Sequence, residues 1–329
     1  MKTRWGILST ANIGVTKVIP ALLKASNCEV VAIASRSIEK AAHVANTFGI
    51  PKAYGSYEEM ICDEDIDVIY NPLPNHLHTQ YTAEACIAGK HVLCEKPIAM
   101  SSKDIYSLKK KLFYMSRRYV MEAFMYKFHP QWIKTKQLVD EGAIGEVKLV
   151  NSFFSYFNLD THDIRNKVNM GGGALLDIGC YCVSFARFIY DKEPIRVFSY
   201  IDRDKTTKID KLTSGILDFG DGQSSTFTCS TQLSPYQRVQ IIGTKGRIEI
   251  EIPVNAPSDK ETRIFLYTDE KTEEIVFPVC DQYTLQAEQF SAAILNKEPL
   301  PFSINDSVLN MNVIDALFKS SNRVSWIKL

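Results

Sequence analysis

From Arg4 to Met121 the chain alternates short apolar runs with longer segments of helical spacing, and no other feature restricts its fold as much. Arg4–Leu8, Glu29–Ala34, Ala53–Tyr54, Val68–Asn71, His91–Cys94 and Tyr119–Met121 read as strands. Helical spacing fills the intervals at Ile13–Ser26, Ile38–Phe48, a segment opening at Ser56, Leu77–Ala88 and Ser102–Ser116. Gly49 and Gly89 follow two of these helices as stop signals, and Glu58 and Glu59 fall in the first turn of another. Parallel strands need a crossover of about a dozen residues, usually a helix, so the alternation predicts βαβ units and a parallel sheet.

The grammar changes after Glu122. Val147–Phe157 and Ile195–Ile201 alternate with period two, and 215–219, 224–232, 238–242 and 247–251 follow closely. Asp218-Phe219-Gly220-Asp221-Gly222, Ser234-Pro235 and Gly243-Thr244-Lys245-Gly246 read as the turns between them. Strands in quick succession with short turns predict a meander, hence a mainly antiparallel sheet. Helical stretches lie at 130–140, 174–190, 285–296 and 306–320. The expected fold class is α/β: an N-terminal Rossmann-like doubly wound sheet over 1–121, then an α+β domain over 122–302 with a large open sheet. Two domains also suit a chain of 329 residues.

Composition narrows the function classes. Lys plus Arg and Asp plus Glu both number 38, so the net charge is zero and no basic excess points to nucleic acid. The apolar runs are shorter than the ~20 residues of a membrane helix, so no membrane partner is expected. Met1-Lys2-Thr3-Arg4 leads directly into a strand-like run, without the pattern of a secretory signal. The eight cysteines are scattered, without a disulfide framework or zinc spacing, which suits free thiols in a reducing cytoplasm.

The first strand runs into Ser9-Thr10-Ala11-Asn12-Ile13-Gly14, and a helix follows. This is the place of the dinucleotide fingerprint G-x-G-x-x-G, with Ser9 and Ala11 for the first two glycines. Small residues let main-chain N–H groups and a helix N-terminus approach a pyrophosphate. An NAD site usually carries Asp or Glu at the end of the second strand, for the ribose hydroxyl. This chain has Ala34-Ser35-Arg36-Ser37, where a guanidinium between two hydroxyls suits a 2′-phosphate, so NADP is expected over NAD.

Two further segments fall at carboxyl ends of strands, where open α/β sheets bind ligands. One is Pro72-Leu73-Pro74-Asn75-His76-Leu77-His78; the other is Cys94-Glu95-Lys96-Pro97, which puts an ammonium at the crevice rim with Glu95 able to hold it by charge. His76-x-His78 has no further ligand cluster near it in sequence, so no metal is expected. His129 reads as structural. Further on, Gly171-Gly172-Gly173 permits close backbone approach, and Asp177 and Tyr181, four apart, share one helix face suited to proton traffic.

Taken together, these motifs and Met121-Glu122-Ala123-Phe124-Met125 make the chain resemble the Gfo/Idh/MocA family of NAD(P)-dependent oxidoreductases over essentially its whole length. The resemblance is closest to the branch of dimeric dihydrodiol dehydrogenase and NADP-dependent xylose dehydrogenases, in which Tyr replaces a His four residues after the Asp. It implies hydride transfer between nicotinamide and a CH–OH or carbonyl carbon of a sugar or cyclic diol. Tyr181 is then the acid–base, Lys96 the cation that lowers its pKa, and Asp177 the group that orients lysine or substrate. The cofactor would be held by Ser9, Thr10, Ala11, Asn12, Ile13, Gly14, Ser35, Arg36, Pro72, Leu73, Asn75, His78, Glu95 and Lys96. Phe154, Arg165 and Tyr283 are candidates for the substrate wall. The resemblance also implies a homodimer or dimer of dimers, and a closing segment 303–329 that returns to the nucleotide domain. A reductase of other carbonyl or imine compounds and a non-catalytic NADP(H)-binding regulator are the alternatives.

Overall fold

The computed structural model describes residues 1–113 and 118–329. They form two compact units, Met1–Met125 with Asp281–Val308, and Tyr126–Cys280 with Leu309–Leu329.

In the first unit the apolar runs become β1 (Thr3–Leu8), β2 (Cys28–Ala34), β3 (Lys52–Tyr54), β4 (Val68–Asn71), β5 (His91–Cys94) and β6 (Val120–Glu122). They lie in the order β3-β2-β1-β4-β5-β6, every pair parallel. The order reverses between β1 and β4, which opens the crevice beyond their carboxyl ends. Ser37 and Ser56 cap the helices Ile38–Phe48 and Tyr57–Ile61 by accepting from the N–H groups of Lys40 and Glu59. Gly49 closes the first of these with φ 68°, a conformation that costs glycine little. The expected helix from Ser102 is observed as Ser102–Phe113, and positions 114–116 lie outside the described residues.

The helix Gln282–Asn296 also belongs to this unit, a correction to the boundary expected at 302. The reason is packing beneath β1. The Trp5 ring meets Phe290 edge-on with centroids 5.9 Å apart, and the Thr3 and Ser291 hydroxyls lie 2.7 Å apart. Trp5 and Phe290 are fully buried.

The second unit holds β7 (Val147–Phe157), β8 (Arg196–Arg203), β9 (Asp210–Gly220), β10 (Gln223–Ser230), β11 (Gln232–Gly243), β12 (Gly246–Ile250), β13 (Thr262–Thr268), β14 (Thr272–Phe277) and β15 (Ile327–Lys328). Their order is β14-β13-β12-β11-β7-β10-β9-β8-β15. The sheet is not a simple meander, because β7 lies between the consecutive β10 and β11, parallel to the first and antiparallel to the second. Ser234-Pro235, expected as a turn, lies inside β11 at a register shift between Gln232 and Tyr236. A bulge tolerates proline because the ladder bond is already lost there.

One face of this sheet packs on helices. Val150, Ser152 and Phe154 of β7 share that buried face with Phe227 and Cys229 of β10. The stretch Val168–Tyr190 is long and apolar enough to cross a membrane by length and composition, and 94% of its apolar window is buried in the protein.

The closing helix runs Ile304–Arg323; up to Val308 it belongs to the first unit and from Leu309 onward to the second. The Ser199 hydroxyl on β8 donates to the Leu317 carbonyl, and the Ser320 hydroxyl accepts from the Ser199 N–H. Asn310 bonds to the Cys180 carbonyl and accepts from Arg187. The stripe Val308, Val313, Ala316 and Leu317 is buried as its period suggests, while Leu309 is exposed. An apolar stripe says that a helix docks, but the buried Asn310 and Ser320 decide where, because they need partners.

Candidate active site

The phosphate-type turn of the first unit leaves β1 at Leu8. Ser9, at the first glycine position of the fingerprint, has φ 77°, the left-handed conformation glycine adopts most readily. Its N–H donates to the Ala34 carbonyl, and its hydroxyl accepts from the Ala11 N–H at 3.2 Å, so the turn keeps the shape without the glycine. Thr10, Ala11 and Ile13 are half-buried, Asn12 is exposed and Gly14 is buried. A Cβ on Gly14 would stand 3.8 Å from Ile7, Tyr70 and Pro72, ordinary contact distances. The protein's own packing therefore leaves room at Gly14. Bare backbone facing a crevice and opening a helix fits a pyrophosphate.

At the end of β2, Ser35 is buried and Arg36 is exposed. Burial raises the pKa of the neighbouring Tyr57 phenol, and the Arg36 guanidinium pulls it back. With no carboxylate from Ala34 to Ser37, this corner suits a phosphate better than a ribose hydroxyl.

Beyond β4, Pro72 and Leu73 are buried and Asn75 half-buried. His78 lies between the loops that follow β4 and β5. It is 1% exposed, with Nδ1 2.7 Å from the Pro97 carbonyl and Nε2 2.6 Å from the Leu73 carbonyl. Burial holds its pKa down, to about 4, and a neutral ring carries one N–H to donate. Its nitrogens are occupied in tying the loop after β4 to the loop after β5. His76 is exposed, and the described residues contain no cluster of three or more metal-ligating side chains.

After β5, the half-buried Glu95 accepts from the Tyr70 hydroxyl at 2.7 Å and from the Lys96 N–H at 3.3 Å. The next peptide bond, Lys96–Pro97, is cis. Tyr283, expected in the substrate wall, belongs to this unit. Burial and then the Glu95 carboxylate raise the pKa of its phenol.

In the second unit the glycine run meets the protein's own atoms. A Cβ on Gly172 would stand 2.5 Å from the Arg165 carbonyl, and one on Gly173, whose φ is 117°, would strike the Asp210 carboxylate. Asp210 accepts the Leu175 N–H at 2.6 Å and the Thr213 hydroxyl at 3.2 Å. The run thus lets a buried carboxylate cap the helix that carries Asp177 and Tyr181. That helix begins as a π-turn, Leu175–Gly179, and continues as Cys180–Tyr190.

Asp177 Oδ2 accepts the Tyr156 hydroxyl at 2.6 Å and lies 3.5 Å from Arg165 Nε. Asp177 raises the Arg165 guanidinium above its usual value while burial opposes it. Burial and Asp177 push the Tyr156 phenol upward. Tyr181 is 4% exposed, with ring centroids 6.0 Å from Tyr126, 6.1 Å from Phe154 and 6.3 Å from Phe185. The structure thus brings together Asp177 with Arg165, and Tyr181 with Phe154. Tyr156 was missed by sequence reasoning. Its signal was available, since period two places it on the inward face with Val150, Ser152 and Phe154.

Comparison with known proteins agrees with this arrangement. Residues 3–123 match the family model described as oxidoreductase family, NAD-binding Rossmann fold, and 132–249 match the GFO/IDH/MocA C-terminal domain. The chain is 43% identical over 328 residues to an uncharacterized oxidoreductase of Rhizobium meliloti, covering 98% of each chain. It is 36% identical to a D-xylose 1-dehydrogenase (NADP(+)) of Haloferax volcanii, covering 99% of each. A 3-ketoreductase from Actinomadura kijaniata, solved with NADP and TDP-benzene, superposes with TM-score 0.91 at 27% identity, over 97% of this chain and 98% of that one.

Proposed function

Because the chain belongs to the GFO/IDH/MocA oxidoreductase family, we propose that it is an NADP-dependent dehydrogenase or reductase acting on a CH–OH or carbonyl carbon of a sugar or cyclic diol. The observation that carries the cofactor choice is Arg36, exposed at the end of β2 with no neighbouring carboxylate from Ala34 to Ser37. Support for the substrate class comes from the xylose dehydrogenase and from trans-1,2-dihydrobenzene-1,2-diol dehydrogenases, 33% identical in the Xenopus laevis case.

NADP supplies or accepts a hydride at its nicotinamide ring. The protein's task is to bind and orient, and to move one proton on the substrate oxygen. Ser9–Gly14 would hold the pyrophosphate and Arg36 the 2′-phosphate; Pro72, Leu73, Asn75 and Glu95 would border the remainder. Tyr181 carries the proton. A phenol near its ordinary pKa of ~10 holds the proton too tightly for neutral pH, so it needs a cation. Lys96 is that cation, and its N–H donors polarise the substrate oxygen as charge develops there. Asp177, with Arg165 and Tyr156 at its carboxylate, orients substrate hydroxyls, and Phe154 lines the substrate wall beside Tyr181.

The test is NADPH absorbance change with a panel of aldoses, cyclic diols and their carbonyl counterparts, run in both directions. Turnover confined to this class supports the reading. Tight NADPH binding with no turnover on any compound sinks it in favour of a regulator that senses NADP(H).

A further inference from the structure

The geometry points to Tyr70 as a positioning residue that fixes the Glu95 carboxylate beside Lys96 while its ring floors the phosphate-type turn. The inference rests on the proposed place of Lys96 in the catalytic machinery. Tyr70 is the third residue of β4 and is fully buried. In register it pairs with Ile7 of β1 and Leu93 of β5, so side chains at 70, 93 and 95 fall on one face of the sheet. This brings its hydroxyl 2.7 Å from Glu95 Oε1, while Glu95 Oε2 accepts the main-chain N–H of Lys96 at 3.3 Å. A phenol in a protein core usually finds a partner, and here the partner is a carboxylate, which makes the bond charge-assisted.

The ring does a separate job. Tyr70 Cε1 would stand 3.8 Å from a Cβ on Gly14, so its edge lies directly against that turn. One side chain therefore touches both the turn assigned to the pyrophosphate and the segment that carries the lysine. The titratable groups around the pair are Tyr283 facing Glu95, Asp281 beside Tyr283, Cys94 next to Glu95, and Glu122 beside Cys94. Burial and Glu95 hold the Tyr70 phenol well above its ordinary range, so it stays a donor at any working pH.

Tyr70→Phe removes the hydroxyl and keeps the ring, and Glu95→Gln removes the charge and keeps the shape. NADPH binding by fluorescence should be near wild type in Tyr70→Phe, which also shows that the variant folds. The decisive readout is the titration of Lys96, followed by NMR after isotopically labelled reductive methylation. Its pKa should fall in Tyr70→Phe, fall further in Glu95→Gln, and in the double variant match Glu95→Gln. Turnover should drop about tenfold in Tyr70→Phe, the scale of one hydrogen bond to a charged group. A Lys96 titration unmoved by Tyr70→Phe, or effects that add in the double variant, overturns the inference. The NMR readout needs no substrate, so a protein without turnover would refute the proposed function and leave this one still decided.

Discussion

At position 36 a guanidinium stands where an acidic residue would read an unphosphorylated ribose, and one substitution separates the two readings. Arg36→Ala should raise the KM for NADPH about ten- to hundredfold, the scale of lost charge-assisted hydrogen bonds, and leave NADH nearly unaffected. Equal losses with both cofactors, measured by steady-state kinetics, would show that Arg36 does not read the phosphate. Tyr181→Phe keeps the ring among Tyr126, Phe154 and Phe185 and removes only the proton. Its kcat should fall about 10²–10⁴-fold with NADPH affinity unchanged; retention of most turnover would reassign the proton to Lys96. These residues were legible because each stands at a marked point of the sequence, a strand end or a glycine-flanked helix start. Tyr156 was legible only as an inward-facing strand residue and Tyr70 not at all, because their significance lies in partners 21 and 25 residues away, Asp177 and Glu95. His78 was legible as unusual, but nothing in the sequence shows two carbonyls closing on its ring.

The helix that carries Asp177 and Tyr181 depends on a carboxylate 35 residues from its first turn, Asp210 at Leu175. Burial, the dominant cause, raises the Asp210 pKa to about 6, against bonds from Leu175 and Thr213 that lower it. The folded state therefore holds this proton more tightly than the unfolded chain, whose ordinary value is near ~3.9. The sign follows: Asp210's contribution to stability is full below about pH 4 and is lost as pH rises through about 6. Two pKa units correspond to about 3 kcal/mol, an order-of-magnitude figure. Asp210→Asn keeps a carbonyl acceptor for the Leu175 N–H and should remove that slope between pH 4 and pH 6 in chemical denaturation; an unchanged slope excludes Asp210 as its source. Gly173→Ala should destabilise the second unit by more than ~2 kcal/mol, since its φ of 117° and the Asp210 carboxylate both oppose a side chain. The glycine run announced a close approach in the sequence. What approached, a carboxylate from β9, was set by tertiary pairing. The same limit explains Pro235, where a local turn signal was overridden by the bulged pairing of β11 with β7.

At the scale of the molecule, the parallel sheet of the first unit was readable because each strand is a local apolar run and each crossover a local helix. The second unit was readable in its strands but not in its order, which places β7 between β10 and β11. The outer face of this sheet is rich in aromatic side chains. Its helix-packed face takes Phe154, Phe227 and Leu217, so the alternate residues, Phe153, Phe198, Tyr200, Ile216 and Thr228, point the other way. They border a shallow cavity of about 330 Å³, and Tyr200 is 63% exposed. Beyond it on the same face, Tyr236 is 50% exposed, and Arg238 bridges Glu249 and Glu251. Aromatic area at the centre with paired charges beside it is the composition of an interface core and its rim. A stable two-fold interface needs about 800 Å² per partner, a demand that a sheet of nine strands can meet. The expected state is therefore a homodimer, or a dimer of dimers, joined through this face. Light scattering should give at least twice the chain mass, and Tyr200→Glu with Ile216→Asp should shift it toward one chain while leaving NADPH binding intact. A wild-type mass of one chain at every concentration would falsify the sheet-face dimer, and an unchanged oligomer in the double variant would move the interface elsewhere.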